Sequence, residues 1–467
     1  MSSSARHTGL VLAALASGFV MASIDATVVN VAAVSIRASF GSTLSELTWV
    51  VDVYVLTFAS LLLLAGSLAT AFGSRRLYLL GMIVFLVASI ACAVAPSEAI
   101  LIGARAVEGV GAALFMPSSL ALLVGTFTEA GQRAKMLGLW SAMVATSAAL
   151  GPTVGGLLVS AFGWRSIFLI NVPVVVAGLL LTVRVIPSTP GTGQRVSPVG
   201  NLLFFVVVAS GAYVLIQGRS SGFGAWSVIA AVTFLVIGGL ILLVQQSRTS
   251  VPVMPWSLFA RAAFAVPNIV GFLYSGALYG NLYLMGLFLQ NARHVSAFEA
   301  GLQLLPMTVC FPLGNLVYTR IHHRVSNPAI MTTCLMIAGI ATLLLLPATP
   351  GTPYWYIAVT LGVANSGAGL VTASMTAATV QAAGDEHANH AGAVLNTNRQ
   401  LGILVGVATI GLILGSTTNW YQGLHIALGI VAAAYLLASA TALTLARATP
   451  HDHGGTTTAP LPDRVTR

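Results

Sequence analysis

The chain has 467 residues, of which 57% are hydrophobic and only 7% are charged, and its mean hydropathy is +0.92. Soluble domains carry about 25% charged residues, so this composition excludes an ordinary water-facing surface and indicates an integral membrane protein. The formal net charge of +9 does not indicate a nucleic-acid partner, because the 20 Lys and Arg residues are scattered between apolar runs rather than gathered in one patch.

Fourteen apolar segments are long enough to cross a bilayer, which takes about 20 mostly apolar residues. They are continuous apolar runs without the two-residue alternation of barrel strands, so helices are predicted. The first run is too long for the apolar core of a signal peptide, which is about 7–15 residues. The segments lie near 9–34, 48–70, 76–95, 99–124, 133–160, 165–187, 199–217, 226–246, 262–290, 299–320, 328–347, 354–380, 391–415 and 421–447.

The basic residues are divided unequally between the two sides of the membrane. With the N-terminus inside, fourteen of the twenty fall on the cytoplasmic side and four on the outer side, and Arg105 and Arg399 remain within spans. Cytoplasmic loops are enriched in Lys and Arg. We therefore predict an even number of spans with both termini in the cytoplasm.

A weak internal repeat suggests how the spans are grouped. GSLATAFGSRR, which begins at Gly66, ends the second span, and GNLVYTRIHHR, which begins at Gly314, ends the tenth. Internal repeats are usual in secondary transporters, with the substrate bound near mid-membrane between the halves. The predicted units are a six-helix bundle over 1–187, two inserted linking helices over 188–261, a second six-helix bundle over 262–447, and a disordered cytoplasmic tail over 448–467.

Four ionisable side chains lie within apolar runs of the first four spans: Asp25, Asp52, Arg105 and Glu108. A charge at the centre of a bilayer costs roughly 2.5–3.5 kcal/mol on insertion scales, so each of them needs a reason to be there. At a rise of about 1.5 Å per residue, Asp25 is expected about 13 Å, and Arg105 and Glu108 about 9–14 Å, below the outer surface. Asp52 is expected nearer that surface, so all four share the outer half of the membrane.

These four residues favour proton coupling. Arg105 and Glu108 are three residues apart and therefore share one helix face. Burial disfavours an ionised carboxyl and a neighbouring arginine favours it, and the two effects together can produce an acid that exchanges protons near neutral pH. We interpret the group as a proton-coupled path through an exporter. The alternatives are a fixed salt bridge that only holds the first and fourth spans together, and an Asp52 that is simply solvated.

The fifth span carries the small residues Gly151, Gly155 and Gly156 together with Pro152. Small residues allow helices to approach closely, and a proline frees a backbone carbonyl and bends the helix. Glycine and proline are also common in membrane helices generally, so the composite pattern GPTVGG carries more weight than any one of its residues.

Polar residues of the second half are candidates for a substrate cavity. Ordinary packing, interfacial placement and hydrogen bonding between helices are the alternatives for them. The candidates are Tyr274, Tyr279, Asn281, Asn396 and Arg399.

The sequence contains no G-x-x-x-x-G-K-[ST] phosphate loop and no H-E-x-x-H zinc motif. We therefore expect an ion gradient as the driving force, with protons as the coupling ion and no cofactor, and no enzymatic activity. His-containing turns lack the ligand spacing typical of zinc, so no metal site is predicted. The three cysteines lie in apolar runs and are interpreted as small buried residues.

Five motifs of the first half resemble those of the major facilitator superfamily, in particular its fourteen-span drug:proton antiporters. IDATVVNVA has the acid of the first helix, RAVEGVGAA the arginine of the fourth, and ATSAALGPTVGG the antiporter signature of the fifth. GSLATAFGSRR resembles the cytoplasmic loop motif, with Gly66, Gly73, Arg75 and Arg76, and WRSIFLINVP the entry to the sixth span. The second half adds AGLQLLPMT and AGAVLNTNRQLG.

The resemblance implies an all-α fold of two six-helix bundles plus two extra helices. It also implies proton-driven export of a small antibiotic or toxic organic compound across the cytoplasmic membrane by a multi-pass protein, which is expected to be a monomer. Its motifs link Arg105 to proton coupling. Export or import of an endogenous metabolite is the alternative, and a receptor or enzyme without transport is a third.

Four positions depart from the family pattern. Thr70 and Ala71 stand where an Asp and an Arg are usual, which puts the charged latch of the loop motif in doubt or relocates it to the later arginines. Ser147 replaces a glycine of the signature, and Glu108 replaces the usual glutamine of the fourth helix and adds a titratable group. The later spans lack an acid apart from Glu299 at an entry, so neutral or weakly acidic substrates are favoured over dications.

Overall fold

The computed structural model describes residues 3–127, 129–188, 190–191, 193, 198–218, 221–249, 256–349, 351–383, 388–417 and 419–448. Over these residues all regular structure is helical. The tail that was predicted to be disordered lies outside the described residues, apart from Ala448, and the linking region 188–261 is described in part.

The helices of the first half pack mainly on one another. α1 contacts α4, α5 and α7, while α4 packs against both α2 and α3. These helices are α1 (Ser3–Phe40), α2 (Leu44–Phe72), α3 (Ser74–Ala93), α4 (Glu98–Thr126), α5 (Ala130–Phe162), α6 (Ser166–Leu169) and α7 (Asn171–Val185).

A second group forms around α11, which packs on α17, α18 and α19, while α8 and α9 pair with each other. α8 also contacts α2 and α18. The helices are α8 (Pro198–Gln217), α9 (Trp226–Arg248), α10 (Trp256–Phe259), α11 (Ala262–Leu287), α12 (Ala297–Gln303), α13 (Leu305–Thr308), α14 (Cys310–Ile321), α15 (Asn327–Leu344), α16 (Tyr354–Asn365), α17 (Ala368–Ala383), α18 (Ala388–Ser416) and α19 (Trp420–Ala448).

Thirteen of the described helical segments are long and apolar enough to cross a membrane. α5 is a further helix of 33 residues, and the apolar part of its described stretch runs over Leu150–Phe162. Only 17% of the most apolar window of α9 is buried, and its outward side chains are Ile, Leu, Val and Phe, as a lipid-facing helix requires. The all-α integral membrane fold predicted from composition and run length is confirmed.

Three seams join the two groups of helices. α1 contacts α11, α2 contacts α18, and α5 contacts α12, α13 and α14. The buried apolar residues form one main cluster that continues across these seams. α1 and α2, which carry Asp25 and Asp52, therefore contact the second half, whereas α4, which carries Arg105 and Glu108, packs mainly within the first half.

Glycines set the distance between α11 and α18. A β-carbon on Gly276 would lie 2.8 Å from the carbonyl oxygen of Gly402, and one on Gly406 would collide with the carbonyl oxygen of Gly276. Backbone meets backbone here, so no side chain can move aside to make room. Close approach through small residues is a usual way for helices to associate in lipid, where no hydrophobic drive acts between them.

We expect Gly406→Ala to lower the midpoint of thermal unfolding of the detergent-solubilised protein, because overpacking typically costs about 1–3 kcal/mol. Gly429→Ala on α19 is the matched control, since a β-carbon there has nothing within 4 Å. Both changes add the same methyl group to a helix, so equal melting temperatures for the two variants would contradict the close crossing.

Candidate functional site

Arg105 lies between two carboxylates inside the first half of the protein. Its Nη1 donates to Asp25 Oδ2 at 2.5 Å and to Glu108 Oε2 at 2.7 Å. Both acids are completely buried, and Arg105 is 1% exposed. The three-residue spacing of Arg105 and Glu108 places them on one face of α4, as predicted, and α1 supplies the third member.

The guanidinium of Arg105 is also held from α2 and α6. Its Nε donates to the carbonyl oxygen of Val50 at 3.3 Å. Its central carbon lies 4.3 Å from the ring centroid of Tyr54 and 5.7 Å from that of Phe168. A cation over aromatic faces gains electrostatic stabilisation, which increases when water is absent.

Glu108 reaches away from α1, into the space between α3 and α7. Ser89 Oγ donates to its Oε1 at 2.5 Å, Asn171 Nδ2 donates to the same oxygen at 3.4 Å, and Cys92 Sγ donates to Oε2 at 3.6 Å. Sequence reasoning missed Ser89 and Cys92, whose runs carry no special pattern, whereas Asn171 lies inside the WRSIFLINVP motif. Within the described ranges, no group of three or more His, Cys, Asp or Glu side chains could hold a metal ion.

Asp25 keeps one oxygen without a partner. Its Oδ1 is buried and makes no hydrogen bond, while Oδ2 binds Arg105. α1 continues to Phe40, six residues beyond the predicted end of the first span. The contact between Asp25 and Arg105 shows directly that the two side chains lie at the same depth in the helix bundle.

Asp52 is a fourth buried acid and lies apart from the cluster. It is completely buried, and neither carboxylate oxygen has a hydrogen-bond partner. The interpretation of Asp52 as a solvated residue is therefore wrong. One turn earlier on the same face, the hydroxyl of Thr48 lies 3.4 Å from that of Tyr283 on α11, which places this face of α2 at the seam between the halves.

The signature glycines of α5 pack directly on α1. A β-carbon on Gly151 would collide with Thr27 Oγ1, and one on Gly155 would collide with the side chain of Val28. Thr27 and Val28 follow Asp25 by two and three residues. The charge cluster and the antiporter signature therefore meet on one short stretch of α1.

The same stretch of α1 continues to α11 of the second half. Gln290 Nε2 donates to the carbonyl oxygen of Val31 at 3.1 Å, and a β-carbon on Gly286 would lie 3.3 Å from the carbonyl oxygen of Asn30. Gln290 lies in a π-helical turn over Phe288–Ala292, which follows directly on α11. Such turns are rare and frequently occur at functional sites.

Gly156 faces the second half rather than α1. A β-carbon there would lie 2.9 Å from the Cα of Phe298 and closer still to the carbonyl oxygen of Ala297, both on α12. On the other side, a β-carbon on Gly301 would lie 2.5 Å from the carbonyl oxygen of Pro152. The signature therefore forms one side of a tight backbone-to-backbone seam between α5 and α12.

The cytoplasmic loop motif connects α2 to α3. Gly73 adopts φ +97°, a conformation that favours glycine, and its N–H donates to Ala69 at the end of α2. Arg75 Nη2 donates to the carbonyl oxygen of Val183 on α7 at 3.0 Å, and Arg76 is exposed. Arg75 therefore binds within the first half.

The two departures in this motif lie at the end of α2. Thr70 Oγ1 donates to the carbonyl oxygen of Gly66 within the helix at 3.2 Å. The carbonyl oxygen of Ala71 accepts from the N–H of Gly193, so the segment after α7 covers the place where a charged latch would lie.

Tyr274 and Asn281 are seven residues apart and share one face of α11, whereas Tyr279 lies on another. The hydroxyl of Tyr274 donates to the carbonyl oxygen of Ala368 at 2.9 Å and is buried between α11 and α17. Tyr279 is half-buried. Asn281 is completely buried, and its side-chain nitrogen and oxygen have no hydrogen-bond partner. Their roles in substrate binding stay predictions.

The candidates on α18 are both half-buried. Arg399 Nε donates to Ser275 Oγ on α11 at 3.4 Å. Its neighbour Asn398 donates to Asn268 Oδ1, also on α11, at 2.8 Å. Asn396 lies one helical turn before Arg399. Polar groups of α11 and α18 therefore meet at this level.

Comparison with known proteins gives relatives over nearly the whole chain. A methylenomycin A resistance protein of Streptomyces coelicolor is 52% identical over 438 residues, which cover 94% of this chain and 92% of that protein. A methylenomycin A resistance protein of Bacillus subtilis is 43% identical, with coverage of 93% and 94%. The tetracenomycin C resistance and export protein of Streptomyces glaucescens is 30% identical, with coverage of 87% and 76%.

The fold has solved counterparts. The crystal structure of a peptide transporter POT in complex with sulfate superimposes with a TM-score of 0.70 and covers 94% of both chains at 15% sequence identity, which shows a common fold. The sequence itself matches the Major Facilitator Superfamily over residues 15–407. Together with the helical fold and the relatives above, this match shows that the chain is a membrane transporter, not an enzyme, and that it belongs to the major facilitator superfamily.

Proposed function

We propose that this transporter is a proton-coupled antiporter that exports a small antibiotic across the cytoplasmic membrane. Protons are the coupling ion, no cofactor takes part, both termini are cytoplasmic, and the working unit is a monomer. The observation that carries the proposal is the buried cluster in which one guanidinium serves two carboxylates.

The charge of the cluster supports a proton site. With all three groups ionised, Asp25, Arg105 and Glu108 would carry one net negative charge without exposure to solvent. An uncompensated charge removed from water is costly, and buried groups neutralise instead. One proton is therefore held by the two carboxyls together, and Asp25 Oδ1, which has no hydrogen-bond partner, is available to accept it.

The position of the cluster supports coupling to transport. α1 binds Arg105 through Asp25. Within the next six residues it packs on α5 and accepts a hydrogen bond from Gln290 in the π-helical turn that follows α11. A change of protonation at Asp25 alters the bond that holds α1 to α4. α1 also forms part of a seam that must rearrange when access alternates between the two sides of the membrane.

Asp52 supports a second proton site. It is a completely buried acid without a hydrogen-bond partner, and it lies on the face of α2 that meets the second half. No described cation forms a salt bridge with it. An acid in such a place carries little charge while the seam is closed and can ionise when the seam opens to water.

The substrate class comes from the relatives. Two of them are named for resistance to methylenomycin A and one for resistance to and export of tetracenomycin C. At 52% identity over nearly the full length of both chains, the Streptomyces coelicolor protein makes methylenomycin A the first compound to test.

We expect Asp25→Asn to abolish proton-driven export while leaving the protein in the membrane, because the asparagine cannot exchange a proton. The measurement is the release of an acid-inside pH gradient, followed by a pH-sensitive dye, when methylenomycin A is added to energised inverted vesicles. Glu129→Gln, which removes a carboxylate near the start of α5 and away from the cluster, is the control. Full proton-driven activity in Asp25→Asn would remove Asp25 from the mechanism.

We expect Glu108→Gln to keep the fold and to change the pH dependence of transport. The amide can still accept hydrogen bonds from Arg105 and Ser89, but Asp25 and Arg105 then neutralise each other without a bound proton. The pH for half-maximal transport should move downward by about one unit, which corresponds to about 1.4 kcal/mol. An unchanged pH profile in the same vesicles would assign Glu108 a structural role only.

We expect Gly156→Ala to hold the seam between α5 and α12 open and to reduce export at least about tenfold, because an added methyl group meets backbone rather than a movable side chain. A cysteine introduced at Thr153 should then react faster with a membrane-impermeant thiol reagent. Gly125→Ala is the control, because nothing lies within 4 Å of its β-carbon position. Equal labelling rates in both backgrounds would show that Gly156 does not close the seam.

A further inference from the structure

Arg399 is a cation far from either end of its helix. α18 runs over Ala388–Ser416, so Arg399 lies about 16 Å from its first residue and about 25 Å from its last. The other basic residues in spans of the second half, Arg320 and Arg447, lie at the ends of their spans. A charge at this depth is costly and marks a functional site unless a partner neutralises it.

No carboxylate neutralises Arg399 within the part of the chain that the structure describes. Both salt bridges found there belong to Arg105, and the hydrogen bond of Arg399 goes to the neutral hydroxyl of Ser275 at 3.4 Å. From residue 249 to 447 the sequence has only three acids. Glu299 caps the N-terminus of α12, and the other two, Asp385 and Glu386, lie in a predicted cytoplasmic loop outside the described residues.

Arg399 lies half-buried on a helix that is surrounded by others. α18 is contacted by α2, α8, α11, α17 and α19. Every described side chain from Ala391 to Leu414 is buried or half-buried, and Arg399 itself is half-buried. Part of its side chain therefore stays accessible on a helix that packs against five others.

The groups beside Arg399 are neutral and polar. Gly271 leaves room for its aliphatic stem, since a β-carbon there would lie 3.3 Å from the Cγ of Arg399. Ser275 contacts its Nε, and the amides of Asn268 and Asn398 pair with each other at 2.8 Å close by. This environment offers hydrogen bonds to a bound anion but no competing negative charge.

We propose that Arg399 binds a carboxylate of the transported compound, so that the substrate class is a small organic acid exported as its anion. This inference rests on the proposed export function and specifies its substrate. The planar guanidinium presents paired N–H donors that match the two oxygens of a carboxylate, and such charge-assisted pairs are about twice as strong as neutral hydrogen bonds. The substrate then supplies the counter-ion that Arg399 lacks among the described residues of the second half.

The test uses three compounds of similar size and different charge: indoleacetate, indoleacetamide and tryptamine. Equilibrium dialysis of the radiolabelled compounds against the purified full-length protein in chloride-free buffer measures binding. Wild type should prefer indoleacetate. Arg399→Gln should bind indoleacetate about ten- to a hundredfold more weakly, as loss of a charge-assisted hydrogen bond predicts, with indoleacetamide binding unchanged. Arg399→Lys should recover part of the affinity, because it keeps the charge but loses the planar fork.

Arg320→Gln is the control, because it removes an equal charge from the exposed end of α14. The proposal is overturned if indoleacetate does not bind, if acid and amide bind equally, if Arg399→Gln binds the acid as wild type does, or if chloride displaces bound indoleacetate as effectively as unlabelled acid does.

The vesicle assay distinguishes failure of this inference from failure of the proposed function. Export without acid preference would contradict this inference alone, whereas acid binding through Arg399 without export would contradict the proposed function alone.

Discussion

The first half of the protein depends on one buried guanidinium that has to serve two carboxylates. Arg105 connects α1 to α4 through Asp25 and fixes Glu108 on its own helix, while a carbonyl of α2 and the rings of Tyr54 and Phe168 hold it in place. A buried ion pair adds little net stability, because desolvation offsets most of the Coulombic attraction, but removing one member leaves a charge without compensation. The cluster is therefore sensitive to protonation, which makes it suited to coupling.

The seam between α5 and α12 and the crossing of α11 with α18 are built from backbone contacts rather than from long side chains. The glycines of α5 bring α1 and α12 into contact with it, and the glycines of α11 and α18 do the same within the second group. Backbone contacts of this kind have little capacity to deform, so helices joined by them tend to move together or to separate. α1 takes part in the charge cluster, and it also contacts α5 and the end of α11 within six residues of Asp25. A change at Asp25 therefore acts on a helix that lies at the boundary between the halves.

Charge is distributed in opposite ways in the two halves. The described interior of the first half has more acids than bases, with Asp25, Asp52 and Glu108 against Arg105, whereas in the second half Arg399 has no described carboxylate partner. In the proposed mechanism, two protons neutralise the two excess carboxylates of the first half, and the anionic substrate neutralises Arg399 in the second. Binding of each therefore removes an electrostatic cost from a different half of the same molecule.

The sequence by itself determined the membrane class, the helical nature of the spans and the identity of the charged residues, because run length and desolvation cost are local properties that a linear chain displays. The three-residue spacing of Arg105 and Glu108 also predicted correctly that both side chains lie on one face of one helix. Tertiary structure decided which distant groups meet: Ser89 and Asn171 on Glu108, Val50 on Arg105, and the burial of Asp52. It also decided that Gly151 and Gly156 face different partners, α1 and α12. These contacts join residues far apart in the chain through the packing angles of whole helices, and no local pattern of residues encodes such an angle.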